Sequence, residues 1–231
     1  MTEQITGQLL PCVEVEPSQP ACATVIWLHG LGADGHDFEP VVPALNLPES
    51  LPVRFVFPNA PSQPVTVNGG WVMPAWYDIL EMSIERKIDV DGLLQSVQQI
   101  KALIQREIDR GIPANRIVLA GFSQGGAVAY HTALCYPQPL AGLLTLSTYM
   151  ATADLIEQQR SDANQNIPVM IHHGTADDVV PMSLGVQATE KLQQLGYKPQ
   201  WHSWPVDHGL CFEEVVSIGE WLVRTLETEI N

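Results

Sequence analysis

The sequence predicts an α/β chain with a mostly parallel central sheet and helices on both faces. Three observations carry that expectation. From Ala23 onward, strand-like apolar runs alternate with helical runs, a rhythm that calls for parallel strands joined by crossover helices. The runs at 23–28, 117–120 and 140–146 are almost unbroken in apolar residues, as in strands buried on both sides. The 231 residues are 45% apolar, enough for the core of one such sheet. No repeat, long linker or shift in composition forces a division, so residues 1–231 are read as a single domain.

The elements follow in order. Residues 13–15 form an early strand and 16–20 a proline-bearing turn. The strand at 23–28 ends in the glycine-rich loop His29-Gly30-Leu31-Gly32-Ala33-Asp34-Gly35. A strand at 53–57 closes on Pro58-Asn59-Ala60-Pro61. Residues 62–82 show no clean period yet carry Trp71, Met73, Trp76, Leu80 and other large apolar groups. Such a load fits a loop folded over the domain or lining a pocket. Residues 89–110 place Val90, Leu93, Leu94, Val97, Ile100, Leu103, Ile104 and Ile108 on one helical stripe, and Gly111-Ile112-Pro113 ends it. The strand at 117–120 is followed by a small, apolar helix over 125–135, then a strand at 140–146. Residues 154–166 are polar and read as a connection. A strand at 169–172, a helix at 184–195 stopped by Gly196, an edge-like strand at 199–204 and a closing helix at 211–226 complete the chain.

The formal charge of −15 argues against nucleic acid, whose phosphates need a face of clustered Lys and Arg, and against anionic lipid. No run of eighteen uncharged apolar residues is present, so no membrane span is expected. The N-terminal MTEQITGQLL lacks the basic start and apolar core of a signal peptide. Cys12, Cys22, Cys135 and Cys211 form no C-x-x-C pair and read as reduced thiols, Cys135 buried on a helix. Together these absences point to a cytoplasmic protein.

The chemistry centres on Gly121-Phe122-Ser123-Gln124-Gly125-Gly126. An apolar strand stops at Gly121, a serine sits at the turn and a helix opens behind it. This is the G-x-S-x-G nucleophile elbow, whose glycines let strand and helix approach closely. In an open parallel sheet, functional loops leave the carboxyl ends of strands. Those loops deliver Ser123, then Asp177 and Asp178, then Asp207 and His208, the Ser–Asp–His chain order of α/β-hydrolases. Ser123 needs a base, and His208, on the loop ahead of the last helix, is the candidate. His172 and His202 lie within strands and His131 within the helix after Ser123. His36 is a further competitor, and His29 and His173 fit better as donors that brace loop backbone. The acid that orients the base is Asp177 or Asp178 at near parity, with Asp207 a weaker third.

Acyl transfer also needs donors for the developing oxyanion. The backbone N–H of Gln124 supplies one and that of Leu31, set between glycines, the other. Nucleotide binding is disfavoured, because the glycine-rich loop has neither a P-loop lysine nor G-x-G-x-x-G. No metal is expected, for there is no H-E-x-x-H, and His172 and His173 point to opposite faces of a strand.

With those residues in place, the chain resembles the carboxylesterase, phospholipase and acyl-protein thioesterase family of small α/β-hydrolases, in particular bacterial carboxylesterases of this length. The resemblance rests on His29-Gly30-Leu31-Gly32-Ala33, Pro58-Asn59-Ala60-Pro61, Trp76-Tyr77-Asp78, Gly121–Gly126, His173-Gly174-Thr175-Ala176-Asp177 and His208-Gly209. It implies Ser123 as nucleophile, His208 as base, Asp177 as acid, and Leu31 and Gln124 as oxyanion amides, with no cofactor. It also makes 62–82 a substrate-covering loop. The expected activity is hydrolysis of short to medium uncharged carboxylic esters through an acyl-enzyme, with an acyl pocket at Trp71, Met73, Trp76 and Leu80. The alternatives are a thioesterase or lysophospholipase with the same triad, and a non-enzymatic binding module. The expected partner is a small-molecule ester. A homodimer through the edge strand or the 62–82 stretch stays open. Whether Trp201 and Trp204 line the site or only pack the last strand also stays open.

Overall fold

The computed structural model describes residues 9–81 and 87–227. Most of the N-terminal stretch read for a leader, and residue 82 of the expected covering loop, lie outside them. Strands β1 (Cys12–Val15), β2 (Ala23–Leu28) and β3 (Val53–Pro58) come first. The short strands β4 (Ser62–Val65) and β5 (Trp71–Pro74) follow. Helix α1 (Val90–Asp109), strand β6 (Ile117–Phe122), helix α2 (Gln124–Leu134) and strand β7 (Gly142–Leu146) form the centre. Helix α3 (Ala153–Gln159), strand β8 (Val169–Gly174), helix α4 (Met182–Gln194), strand β9 (Gln200–Trp204) and helix α5 (Phe212–Glu227) complete the order.

Seven strands make one sheet in the order β1-β3-β2-β6-β7-β8-β9. Only β1 runs antiparallel to its neighbour, and the other pairings are parallel. Side chains alternate across each strand, and this divides the core in two. Ile26 and Leu28 of β2 and Ile117 and Leu119 of β6 pack with α1, α2 and α4. Val25, Trp27, Val118 and Ala120 face the other way, onto Val215, Ile218, Trp221 and Leu222 of α5. The chain therefore has the α/β-hydrolase architecture, a mostly parallel sheet with helices on both faces.

Helix α1 begins where the sequence places it. The Asp89 carboxylate accepts the Gly92 N–H at 3.1 Å, satisfying an otherwise orphaned first-turn donor. Near the other end of α1 lies Glu107, fully buried and bonded to Arg54 (2.9 Å), Arg106 (2.9 Å), Arg110 (3.0 Å) and Thr24 (3.1 Å). Burial alone would raise this carboxyl. The Arg54 hydrogen bond and the Arg106 and Arg110 charges outweigh that and leave it below its ordinary range. The cluster pins α1 to β2 and β3.

Three local expectations are corrected. The stretch after Ser62 is not irregular: Val65 pairs with Trp71 in a β4–β5 hairpin, closed by Asn68-Gly69-Gly70 with both glycines at positive φ. That dipeptide is a hairpin signal the large apolar residues obscured. The polar connection at 154–166 contains α3, whose single buried residue, Ile156, leaves no stripe to read. Cys135 is half-buried and lies just past α2.

Candidate active site

Ser123 is the junction between β6 and α2. Its backbone takes φ 52° and ψ −121°, a conformation costly for any residue with a side chain. The surroundings hold it there. Its N–H donates to the Leu146 carbonyl at 2.9 Å, and its carbonyl accepts from Thr148 Oγ1 at 2.5 Å. The neighbouring glycines are required by crowding. A Cβ on Gly121 would lie 2.5 Å from the Gly125 carbonyl, and one on Gly125 would lie 2.5 Å from the His29 carbonyl. The turn thus presents the hydroxyl to a cavity while Ser123 stays only 8% exposed.

His208 follows β9, and Asp177 follows β8. His208 Nε2 lies 3.0 Å from Ser123 Oγ, and its Nδ1 lies 2.7 Å from Asp177 Oδ2. With Asp177 ionised, Nδ1 carries the proton and Nε2 is left to accept one from the serine. Asp177 Oδ1 accepts the N–H groups of Val179 (3.0 Å) and Val180 (2.8 Å). Burial acts to raise the Asp177 carboxyl. The His208 hydrogen bond, the Val180 amide, the His208 charge and the Val179 amide outweigh burial and hold it below the ordinary carboxylate range. Asp178 and Asp207 are exposed, so the parity between the two adjacent carboxylates is broken by the turn. The Phe122 ring packs against the imidazole of His208 at 4.7 Å.

Two backbone amides border the same cavity. Gln124 is the first residue of α2, where the helix N-terminus leaves its N–H without an intrahelical partner and adds partial positive charge. Leu31 N–H is aimed by His29. The buried His29 ring accepts the Ala60 N–H at Nε2 (3.1 Å) and donates from Nδ1 to the Gly30 carbonyl (2.7 Å). The Gly30–Leu31 peptide is planar and trans, so fixing that carbonyl points the Leu31 N–H the opposite way. Burial keeps His29 below its ordinary pKa, which preserves the neutral tautomer this arrangement needs.

The cavity has a volume of about 200 Å³ and is lined by Leu31, Val67, Asn68, Ile79, Ser123, Gln124, Tyr149 and Val179. None of the four expected pocket residues is in that lining. Trp71 stands on β5 at 76% exposure, and Met73 sits beside the Asn68 amide. Trp76 is core, at 1% exposure. Leu80 is tied through its N–H to the Lys87 carbonyl, while its neighbour Ile79 enters the cavity. Trp76 and Tyr77 are both buried at a bend in the chain and Ile79 is buried at an isolated bridge, so no simple alternation separates these side chains. The turn residues Val67 and Asn68 become legible once the hairpin is recognised. Tyr149 and Val179 come from loops after β7 and β8, where the rule of carboxyl-end loops applies.

The other histidines are occupied elsewhere. His131 is buried and bonded to Thr152 Oγ1 at 2.8 Å. His172 faces Glu214 of α5 at 3.4 Å, whereas His173 donates to the Val180 carbonyl at 2.8 Å. Trp204 donates to His172 Nδ1 at 3.1 Å and Trp201 stacks on His173 at 6.1 Å, so both tryptophans pack the edge of the sheet. Among the described residues no group of three or more His, Cys, Asp or Glu side chains could hold a metal. No helix among them is long and apolar enough to cross a membrane.

The phospholipase/carboxylesterase family model matches residues 11–226. Acyl-protein thioesterase 1 of Yarrowia lipolytica is 38% identical over 222 residues, covering 94% of this chain and 98% of that protein. The solved structure of Arabidopsis thaliana SOBER1 superposes with a TM-score of 0.84 at 31% identity, over 88% of this chain and 99% of the other. Acyl-protein thioesterase 2 of Zea mays gives 0.83 at 28% identity, over 94% and 99%. Sequence and fold together place this chain in the phospholipase/carboxylesterase family of α/β-hydrolases.

Proposed function

We propose that the protein hydrolyses acyl thioesters through an acyl-enzyme on Ser123. The observation that carries the acyl-enzyme mechanism is the continuous hydrogen-bonded line from Ser123 Oγ through His208 to Asp177. His208 Nε2 takes the Ser123 proton as Oγ attacks the acyl carbonyl. The carbonyl oxygen becomes an oxyanion received by the Leu31 and Gln124 N–H groups. Collapse of the adduct expels the thiol, which leaves with the proton held on Nε2. Water then enters, gives a proton to Nε2, attacks the acyl carbon and releases the carboxylic acid, and the proton returns to Ser123 Oγ. Asp177 stabilises the imidazolium in both halves without taking its proton. No cofactor enters the cycle.

The thioester reading rests on the Yarrowia lipolytica and Zea mays relatives, both acyl-protein thioesterases. It is preferred to the ester reading that the sequence favoured. Val67, Asn68 and Ile79 border the cavity, so residues 62–80 form its cover in this proposal. The same site accepts short to medium uncharged oxyesters as a second activity. The small, mainly apolar cavity supports that second reading, and the chain's net charge of −15 repels anionic acyl donors.

Matched thioester and oxyester substrates sharing one acyl group test both readings. The expected result is hydrolysis of each, a higher kcat/KM for the thioester, and loss of both in Ser123→Ala. Turnover that survives Ser123→Ala overturns the serine mechanism. A higher kcat/KM for the oxyester overturns the thioester preference.

A further inference from the structure

The two amides assigned to the oxyanion follow different strands, β2 and β6, and the residues that carry them are tied to one residue, Trp76. Trp76 Nε1 donates to the His29 carbonyl at 2.8 Å, at the head of the loop that carries Leu31. The Trp76 backbone N–H donates to Gln124 Oε1 at 2.9 Å, and Gln124 Nε2 donates to the Tyr77 carbonyl at 2.7 Å. The Trp76 carbonyl accepts from Ser96 Oγ of α1, and the indole lies against the His29 imidazole at 5.1 Å. One place further, the Gly32 N–H donates to the Pro74 carbonyl at 2.8 Å. The segment 74–77 therefore bridges the Leu31 loop and the residue that follows the nucleophile.

From this we infer that Trp76 and the side chain of Gln124 are positioning residues, which clasp the Leu31 and Gln124 amides at one fixed spacing. The inference rests on the Ser123 acyl-enzyme reading above. An oxyanion exists only in the tetrahedral state, so donors matched to it lower that barrier only while their spacing is held. Trp76 reaches the head of the Leu31 loop through its indole and the Gln124 side chain through its main chain. Neither Trp76 nor the Gln124 carboxamide touches the reacting atoms in this arrangement.

Trp76→Phe removes the indole N–H and keeps a ring, and Gln124→Met removes both amide bonds at similar length. Each variant, with wild type and the double variant, is titrated with a phosphonate that counts reactive Ser123, then assayed per titrated site. Expected is a fall in kcat of about 10-fold or more in each single variant, with KM within about 2-fold. The double variant falls by less than the product of the two singles, because both cut one clasp. Unchanged kcat per titrated site, a change confined to KM, or multiplicative losses overturns the inference. Trp76→Phe that fails to fold leaves Gln124→Met to decide on its kcat and KM alone. Failure of the underlying reading looks different: wild-type Ser123 would then not react with the phosphonate at all.

Discussion

Asp177 divides its carboxylate, giving Oδ2 to His208 Nδ1 at 2.7 Å and Oδ1 to the amides of its own turn. One oxygen holds the His208 imidazole while the other is anchored to the backbone. Asp177→Asn keeps the anchor and presents an amide where the imidazole needs an acceptor. In the proposed mechanism this favours the wrong tautomer, and kcat falls on the order of 10³ to 10⁴-fold. Circular dichroism and thermal unfolding should stay near wild type. A loss of under 10-fold in steady-state kinetics counts against the role of Asp177.

Gly125 has no room for a methyl group. Its added Cβ would meet the carbonyls of His29 and Leu28 at 2.5 and 2.7 Å, both main-chain atoms that cannot swing aside. Gly125→Ala should destabilise the fold by about 1–3 kcal/mol and displace the Leu31 loop. Urea unfolding measures the first effect, and activity at a temperature where the variant is still folded measures the second. A variant as stable and active as wild type contradicts the crowding argument.

His131 sets a pH dependence of stability. Burial, reinforced by the Lys101 charge, pushes its pKa down to about 4 from 6.5. The unfolded chain then binds a proton below pH 6.5 that the folded chain refuses until pH 4. Stability therefore falls as pH drops across that window, by about 3 kcal/mol from this group, and the contribution levels off below it. His131→Gln should flatten the dependence. Unfolding free energies from pH 7 to 4 check it, and identical slopes in the two proteins refute it.

The buried carboxylate of Glu107 holds three partly exposed guanidinium groups. Glu107→Ala removes the buried acceptor while Arg54 keeps Glu16 at 2.8 Å, and should cost about 1–3 kcal/mol. Added salt should change wild-type stability little, because the carboxylate is shielded from solvent. Denaturant midpoints in low and high salt test both statements.

The sheet was legible because its strands are buried on both faces and its helices are striped, as in 117–122 and 90–109. That Ser123 and His208 meet at one rim of the sheet is legible from glycine crowding and chain order. Asp177 against Asp178 was not, since turn amides decide the choice and composition does not show where an amide points. The cavity lining is not legible from side-chain size, because a large apolar group serves the core as well as a pocket. Trp76 and Trp71 are the same residue type, one in the core and one in solvent. What separates them is the hairpin and the bonds to His29 and Gln124, which arise only when distant strands meet.

The positive φ of Ser123 sets durability against turnover. Glycine would relax that backbone, so Ser123→Gly should unfold at a higher temperature than the wild type while losing the proposed hydrolysis. Selection for heat resistance alone would discard the side chain on which the proposed activity depends, and only a screen that also demands product would keep it.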